Sequence, residues 1–169
     1  PMRGVRRGLC LLLAQLFSLA LLGSEELFLV TAEGVNLRRG PGVETPVIGR
    51  VSRGMVFAPQ EEGGGWVKVV FPDKGKNLEG YLFENYLQRL DGSLPLTAAK
   101  VKAIPWARIH LDERKDSPVV ALFPEGTPVQ LLGTGDEEML PLLGEVGGYR
   151  WFGFIHKDLV EPTLTLEAQ

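Results

Sequence analysis

The stretch GVNLRRGPGVETPVIGRVSRG, Gly34–Gly54, decides the fold. Its first residues alternate, with Val35 and Leu37 apolar and their neighbours polar, which is the period of a half-buried strand. A Gly-Pro-Gly turn signal follows, and then a second apolar run that ends in a polar turn closed by glycine. The stretch therefore predicts two short strands joined by a turn.

The same pattern occurs twice in the chain. Residues 45–48, Thr-Pro-Val-Ile, fall on residues 117–120, Ser-Pro-Val-Val, at an offset of 72. Residues 80–87, GYLFENYL, fall on residues 153–160, GFIHKDLV, at an offset of 73. One inserted residue between the two anchors explains the difference, so the chain contains an internal repeat of about seventy residues.

Composition agrees with short strands and many turns. The chain has 169 residues, with 21 Gly and 12 Pro, which is high for this length and disfavours a helical bundle. We expect an all-β protein of two small barrels, each near the lower size limit for independent folding. The predicted boundaries are an N-terminal segment at 1–24, a first domain at 25–90, a linker at 91–100 and a second domain at 101–162.

The motif VNLRRGPG…TPVIGRVSRG…WVKV…GYLFENYL resembles the bacterial SH3 (SH3b) domain family over Val35–Leu87. The resemblance implies a barrel of five to six strands in each unit. The second unit, Ala107–Val160, resembles a degenerate copy, because three residues of the motif are replaced. Arg108, His110 and Asp112 stand where Asn36, Arg38 and Gly40 stood. This replacement argues against a ligand site shared by both units.

The N-terminal segment, residues 1–24, has the features of a secretory signal peptide. Three arginines precede the uncharged apolar run Leu9–Leu22, and Ser18 and Ala20 are small residues suited to a cleavage site. An uncleaved membrane anchor is the second interpretation, and a buried cytosolic helix is the third. We therefore expect an exported protein of the periplasm or cell envelope of a bacterium.

Charge and cysteine content exclude several functions. The formal net charge is −3, and loss of the three N-terminal arginines would make it −6. No basic arm or stripe is present, so nucleic acid is not expected as a partner. Cys10 is the single cysteine and precedes the apolar run. If the signal is removed, the chain has neither disulfides nor a thiol nucleophile.

Catalytic and metal chemistry are not expected. His110 and His156 are the only histidines, and a nucleophile elbow such as Gly-x-Ser-x-Gly is missing. Three acids at Asp136–Glu138 lack the alternate spacing of a calcium loop and suggest a solvated hairpin tip. We predict no enzyme activity, no cofactor and no metal.

Aromatic residues are the best candidates for a binding surface, because Tyr and Trp combine an apolar body with a polar tip. The candidate groove on the first unit comprises Trp66, Tyr81 and Tyr86, together with Asn36 and Arg38. The alternative for the aromatics is core or inter-domain packing, and the alternative for Arg38 is bracing of the turn.

Trp106 and Trp151 have no aromatic counterpart in the first unit, which suggests an interface between the units. The resemblance implies that exported domains of this type bind cell-wall peptides or act as docking modules. We therefore predict a stand-alone, non-enzymatic adaptor that binds peptidoglycan or a protein of the cell envelope, with membrane contact only through an uncleaved N-terminal segment. The alternative is a structural or assembly subunit of an envelope complex with no wall ligand.

Overall fold

The computed structural model describes residues 26–90, 95–133 and 135–163. Regular structure in these residues is strand, apart from two single turns of 3-10 helix, and the predicted all-β class is confirmed. No helix in these ranges is long and apolar enough to cross a membrane. The predicted signal peptide lies outside the described residues.

Residues 26–90, called here the first unit, form two antiparallel sheets around one core. The sheets have the orders β4-β1-β8 and β3-β2-β7-β6-β5. A 3-10 turn, Glu84–Tyr86, connects the last two strands. The strands are β1 Leu27–Val30, β2 Val35–Arg38, β3 Val47–Val51, β4 Val56–Phe57, β5 Glu61–Gly63, β6 Trp66–Asp73, β7 Lys76–Phe83 and β8 Leu87–Leu90.

Residues 95–163, called here the second unit, form one antiparallel sheet of order β11-β10-β14-β13-β12-β9-β15. A 3-10 turn, Lys157–Leu159, precedes its last strand. The strands are β9 Leu96–Val101, β10 Trp106–His110, β11 Val119–Pro124, β12 Pro128–Leu132, β13 Met139–Val146, β14 Tyr149–His156 and β15 Val160–Pro162.

Strand β2 shows how the sequence positions the groove residues described below. Val35 and Leu37 are buried in the first core, as the alternation predicts. Asn36 and Arg38 are half-buried and point to the other face of the same strand. The core therefore fixes which side chains β2 presents on the outside of the barrel.

The two units pair their strands in the same register. Arg38 pairs with Tyr81 across β2 and β7, and His110 pairs with Phe154 across β10 and β14. The β2–β3 pair has a register shift next to Arg38, and the β10–β11 pair has one next to His110. The equivalent positions are separated by 72 and 73 residues, the same offsets that the sequence shows.

The predicted linker, residues 91–100, is too long. Strand β9 begins at Leu96 and pairs with β12 and β15, so the second unit starts before Val101. Only Ala99 and Val101 of β9 are buried, and its first three residues are exposed. The strand therefore lacks the run of alternating large apolar residues by which the other strands were identified.

The units meet where β14 passes the turn before β4. The Phe152 N–H donates to the Gly54 carbonyl over 2.9 Å, and Met55 forms an isolated antiparallel bridge with Trp151. Trp151 packs against the cores of both units, so the predicted interface role is correct for this residue. It is wrong for Trp106, which is 53% exposed on the second unit.

Apolar packing reinforces this interface. The Tyr149 ring lies 5.5 Å from the Phe71 ring, and its hydroxyl donates to the Pro72 carbonyl over 3.3 Å. A separate buried cluster takes two residues from each unit. These residues are Leu27, Val56, Leu132 and Leu143. The two barrels therefore share buried surface in addition to their linker.

Candidate ligand-binding groove

An open groove of about 340 Å³ lies on the first unit, beside the outer face of β2. The end of β7, the following 3-10 turn and the loop after β2 form its walls. It is lined by Ala32, Glu33, Gly34, Val35, Asn36, Arg38, Val43, Trp66, Phe83 and Tyr86. We call it the first groove.

Three aromatic rings form one wall of the first groove. Trp66 lies directly opposite Phe83 in the β6–β7 pair, with ring centroids 5.3 Å apart. The Tyr86 ring meets Phe83 edge-on at 5.8 Å. Trp66 is 9% exposed but lies outside the central core cluster, whereas Tyr86 is 46% exposed. The wall thus offers a fixed aromatic surface with an exposed tyrosine at its rim.

Arg38 holds the opposite wall in place. Its guanidinium Nη1 donates to the carbonyls of Val43 and Thr45, both over 2.8 Å. The Thr45 hydroxyl is also within 2.9 Å of the Gly40 carbonyl and 2.6 Å of the Gly42 carbonyl. Arg38 therefore braces the turn, the alternative that the sequence left open, and at the same time lines the groove.

Asn36 contributes a polar atom without a partner. Its Oδ1 is buried and makes no hydrogen bond to any residue that the structure describes. An unsatisfied buried acceptor costs about 1–3 kcal/mol. A ligand N–H group that reached this oxygen would remove that cost. Glu33 nearby is already paired, because its carboxylate lies 3.2 Å from Arg53 Nε.

The structure brings four of the five predicted site residues together. Asn36, Arg38, Trp66 and Tyr86 line the first groove, whereas Tyr81 does not. Tyr81 lies farther along β7, where it pairs with Lys68 and Arg38. Phe83 takes its place in the aromatic wall, because the β6–β7 pairing sets Phe83 opposite Trp66, and this pairing cannot be read from the sequence.

Replacing Arg38 with Ala is expected to lower the free energy of unfolding by about 2 kcal/mol, because two charge-assisted hydrogen bonds to the turn are lost. The Thr45 amide, which donates to Gly42, should also exchange its hydrogen faster. Urea denaturation and hydrogen exchange measure the two effects. Arg39→Ala is the matched control, since Arg39 is exposed, and should change stability by less than about 0.5 kcal/mol. Equal effects of the two substitutions would refute the bracing role.

His110 and His156 make polar contacts with neighbouring residues. No group of three or more His, Cys, Asp or Glu in the described ranges could hold a metal ion. His156 Nε2 lies 3.2 Å from Glu138, and His110 Nδ1 lies 3.0 Å from the Ser117 carbonyl. Neither contact places a nucleophile beside a base.

Residues 33–88 match the family model of the bacterial SH3 domain. The matched range contains both walls of the first groove and all five residues predicted from the sequence. The match does not extend into the second unit, so a second domain of this family stays a prediction.

Solved structures show weak similarity to the chain. NlpC2 from Trichomonas vaginalis is 12% identical with a TM-score of 0.32, and the alignment covers 81% of this chain and 47% of that one. NlpC1 from the same organism is 11% identical with a TM-score of 0.32, covering 81% of this chain and 45% of that one. The native structure of CBDP35 is 12% identical with a TM-score of 0.26, covering 82% and 97%.

These scores are too low to carry a functional argument. The chain spans about half the length of the two NlpC structures. No curated protein shows a match to the chain.

Proposed function

We propose that the protein is an exported, non-enzymatic binding module of the bacterial cell envelope whose first groove binds the peptide part of peptidoglycan. The observation that carries the proposal is the aromatic wall of a bacterial SH3 domain, with Tyr86 46% exposed beside a braced turn. Amphipathic rings of this kind pack against peptide backbone and apolar side chains while their polar tips stay in contact with water.

The polar groups of the groove suit a peptide more than a bare sugar or an ion. The buried and unpaired Asn36 Oδ1 would accept a hydrogen bond from a peptide N–H that reached it, and the Arg38 guanidinium already donates to two carbonyls of its own turn. Arg38 therefore has a reduced capacity to bind an anion. Recognition would rest on the aromatic surface and on few hydrogen bonds, which is typical of small ligand sites.

Co-sedimentation with purified peptidoglycan sacculi, at low and moderate salt, tests the proposal. Tyr86→Ala is expected to weaken binding by about tenfold or more, because an exposed aromatic anchor is removed from the groove. Tyr81→Ala is the matched control: the same change on the same domain, at a residue outside the groove. Circular dichroism and urea denaturation establish that both variants fold.

Three outcomes would contradict this site. The first is that the parent chain fails to sediment at either salt. The second is that the two tyrosine variants lose binding equally. The third is that binding falls with salt as a purely electrostatic association does. The first outcome favours the alternative function, an assembly subunit of an envelope complex with no wall ligand. The acidic balance of the chain, −3 overall, supports that alternative. Crosslinking in the native envelope would then identify the protein partner.

A further inference from the structure

The second unit carries its own groove, at the position equivalent to the first groove and with a volume of about 510 Å³. It lies beside the outer face of β10, on which Trp106, Arg108 and His110 alternate with buried residues. It is lined by Ala103, Ile104, Trp106, Arg108, His110, Lys115, Met139, His156 and Leu159. We call it the second groove.

The lining residues of the two grooves correspond along the repeat. The β6–β7 pair Trp66–Phe83 is equivalent to the β13–β14 pair Met139–His156, both at an offset of 73. The chemistry nevertheless differs at nearly every position. Trp106, Arg108, His110, Lys115, Met139, His156 and Leu159 replace Gly34, Asn36, Arg38, Val43, Trp66, Phe83 and Tyr86.

The wall of the second groove is braced as the first is. His110 Nδ1 lies 3.0 Å from the carbonyl of Ser117, the residue equivalent to Thr45, to which Arg38 donates. Since a carbonyl only accepts, His110 donates from Nδ1 and its Nε2 is left on the other side of the ring. Ser117 is itself buried, at 5% exposure. The degenerate sequence therefore keeps the architecture of the groove.

The carboxylates near the second groove are already paired with cationic side chains. Lys115 Nζ lies 2.5 Å from Glu138 Oε1, and His156 Nε2 lies 3.2 Å from the same oxygen. Lys115 first and His156 second lower the pKa of Glu138, which keeps it ionised. Arg114 donates to Asp112 over 2.9 Å, and this hydrogen bond lowers the pKa of Asp112 to about 2.

Arg108 remains as a cation without a partner in the described part of the chain. Its side chain is exposed, it lies two residues from Trp106 on the same face of β10, and Trp106 is 53% exposed. A guanidinium binds carboxylates with two parallel hydrogen bonds, and an indole ring packs against peptide groups. Together they form a site for a negatively charged peptide in a protein of net acidic charge.

We propose that the second groove binds an acidic peptide segment of a protein partner, with Arg108 pairing a carboxylate and Trp106 supporting the peptide chain. The two grooves share no polar residue at equivalent positions, so the second groove would select its ligand through different contacts. This proposal does not depend on the wall-binding function of the first groove.

The three tryptophans of the chain make a direct test possible. Each indole N–H gives one signal in a nitrogen-15 NMR spectrum, and single Trp→Phe variants assign them. The probe is the peptide acetyl-(Gly-Glu)4-amide, compared with acetyl-(Gly-Gln)4-amide at equal ionic strength. We expect the acidic peptide to shift the Trp106 signal until saturation, and Trp66 and Trp151 to stay unchanged.

Substitution of Arg108 tests the charged contact separately. Arg108→Gln should weaken binding of the acidic peptide by at least tenfold, because the carboxylate loses its charged partner. Arg39→Gln, an exposed arginine on the first unit, should bind like the parent chain. Both residues are exposed, so both variants should keep the parent spectrum.

Four results would overturn the proposal. The first is a Trp106 signal that does not move with the acidic peptide. The second is equally strong binding of the neutral peptide. The third is an Arg108→Gln variant that binds the acidic peptide as the parent chain does. In the fourth, soluble peptidoglycan fragments shift Trp106 and the acidic peptide does not, which would make the second groove a wall site. None of these results bears on sedimentation with sacculi through Tyr86.

Discussion

Replacing Trp151 with Ala is expected to lower the free energy of unfolding by about 3 kcal/mol, the lower end of the range for tryptophan in a core, because Trp151 is half-buried. Trp151 packs against the cores of both units, and its indole N–H donates to the Val146 carbonyl over 3.4 Å. Because this contact couples the two units, its loss should also separate one unfolding transition into two. Calorimetry measures both effects.

Trp106→Ala is the matched control for this prediction. Trp106 belongs to the same unit but is 53% exposed and touches neither core cluster. Its removal should change stability by less than about 0.5 kcal/mol and leave a single transition. If Trp151→Ala were as mild as Trp106→Ala, the two barrels would fold independently and the described interface would contribute no stability.

Replacing Gly54 with Ala is the second large effect, with an expected loss of about 3 kcal/mol, the sum of a backbone cost and a packing cost. Gly54 has a φ of +94°, which costs an L residue roughly 1–2 kcal/mol. A Cβ atom at this position would also lie 2.9 Å from the Cβ of Val120 in the other unit. That atom is close to the backbone and moves little, so overpacking adds roughly 1–3 kcal/mol.

Gly126→Ala separates the two causes. Gly126 is equivalent to Gly54 in the repeat and has a φ of +81°, but no atom lies within 4 Å of the position that an alanine Cβ would take there. It should therefore lose only the backbone part, roughly 1–2 kcal/mol. Urea denaturation of both variants gives the difference. Equal losses would mean that the contact between Gly54 and Val120 is absent in solution.

Local patterns predicted the all-β class and the strands of the first unit, but not strand β9. The alternation of Val35 and Leu37 and the turn signals gave the strands of the first unit, because each short strand buries one face. The residues that match between the units at offsets of 72 and 73 lie at equivalent positions in the strand pairs of the two units. Strand β9 was missed because it buries only Ala99 and Val101, too little apolar surface for a recognisable alternation.

The site was predicted only in part, because its shape depends on strand pairing. Trp66 and Lys68 lie on one face of β6, and Trp66 is buried outside the central core cluster where Phe83 lies opposite it. Tyr81 and Phe83 lie on one face of β7, and the sequence could not tell which of them reaches the groove.

The second groove was not predicted from the sequence, because its shape also depends on strand pairing. His110 and His156 are far apart in the sequence, and no sequence pattern places them together. The pairing of β10 with β14 brings both into one groove, where the replaced residues of the motif line its wall. The replacements predicted that the two units share no ligand site, and the structure has a groove of different chemistry at the equivalent position.

Wall peptides are proposed to bind in the first groove. Titration of the nitrogen-15 labelled chain with soluble peptidoglycan fragments tests this proposal. We predict that the indole signal of Trp66 and the side-chain amide signals of Asn36 shift together until saturation, while Trp151 at the interface stays unchanged. Saturable binding that leaves Trp66 and Asn36 unmoved, or no binding at millimolar fragment, would contradict the claim.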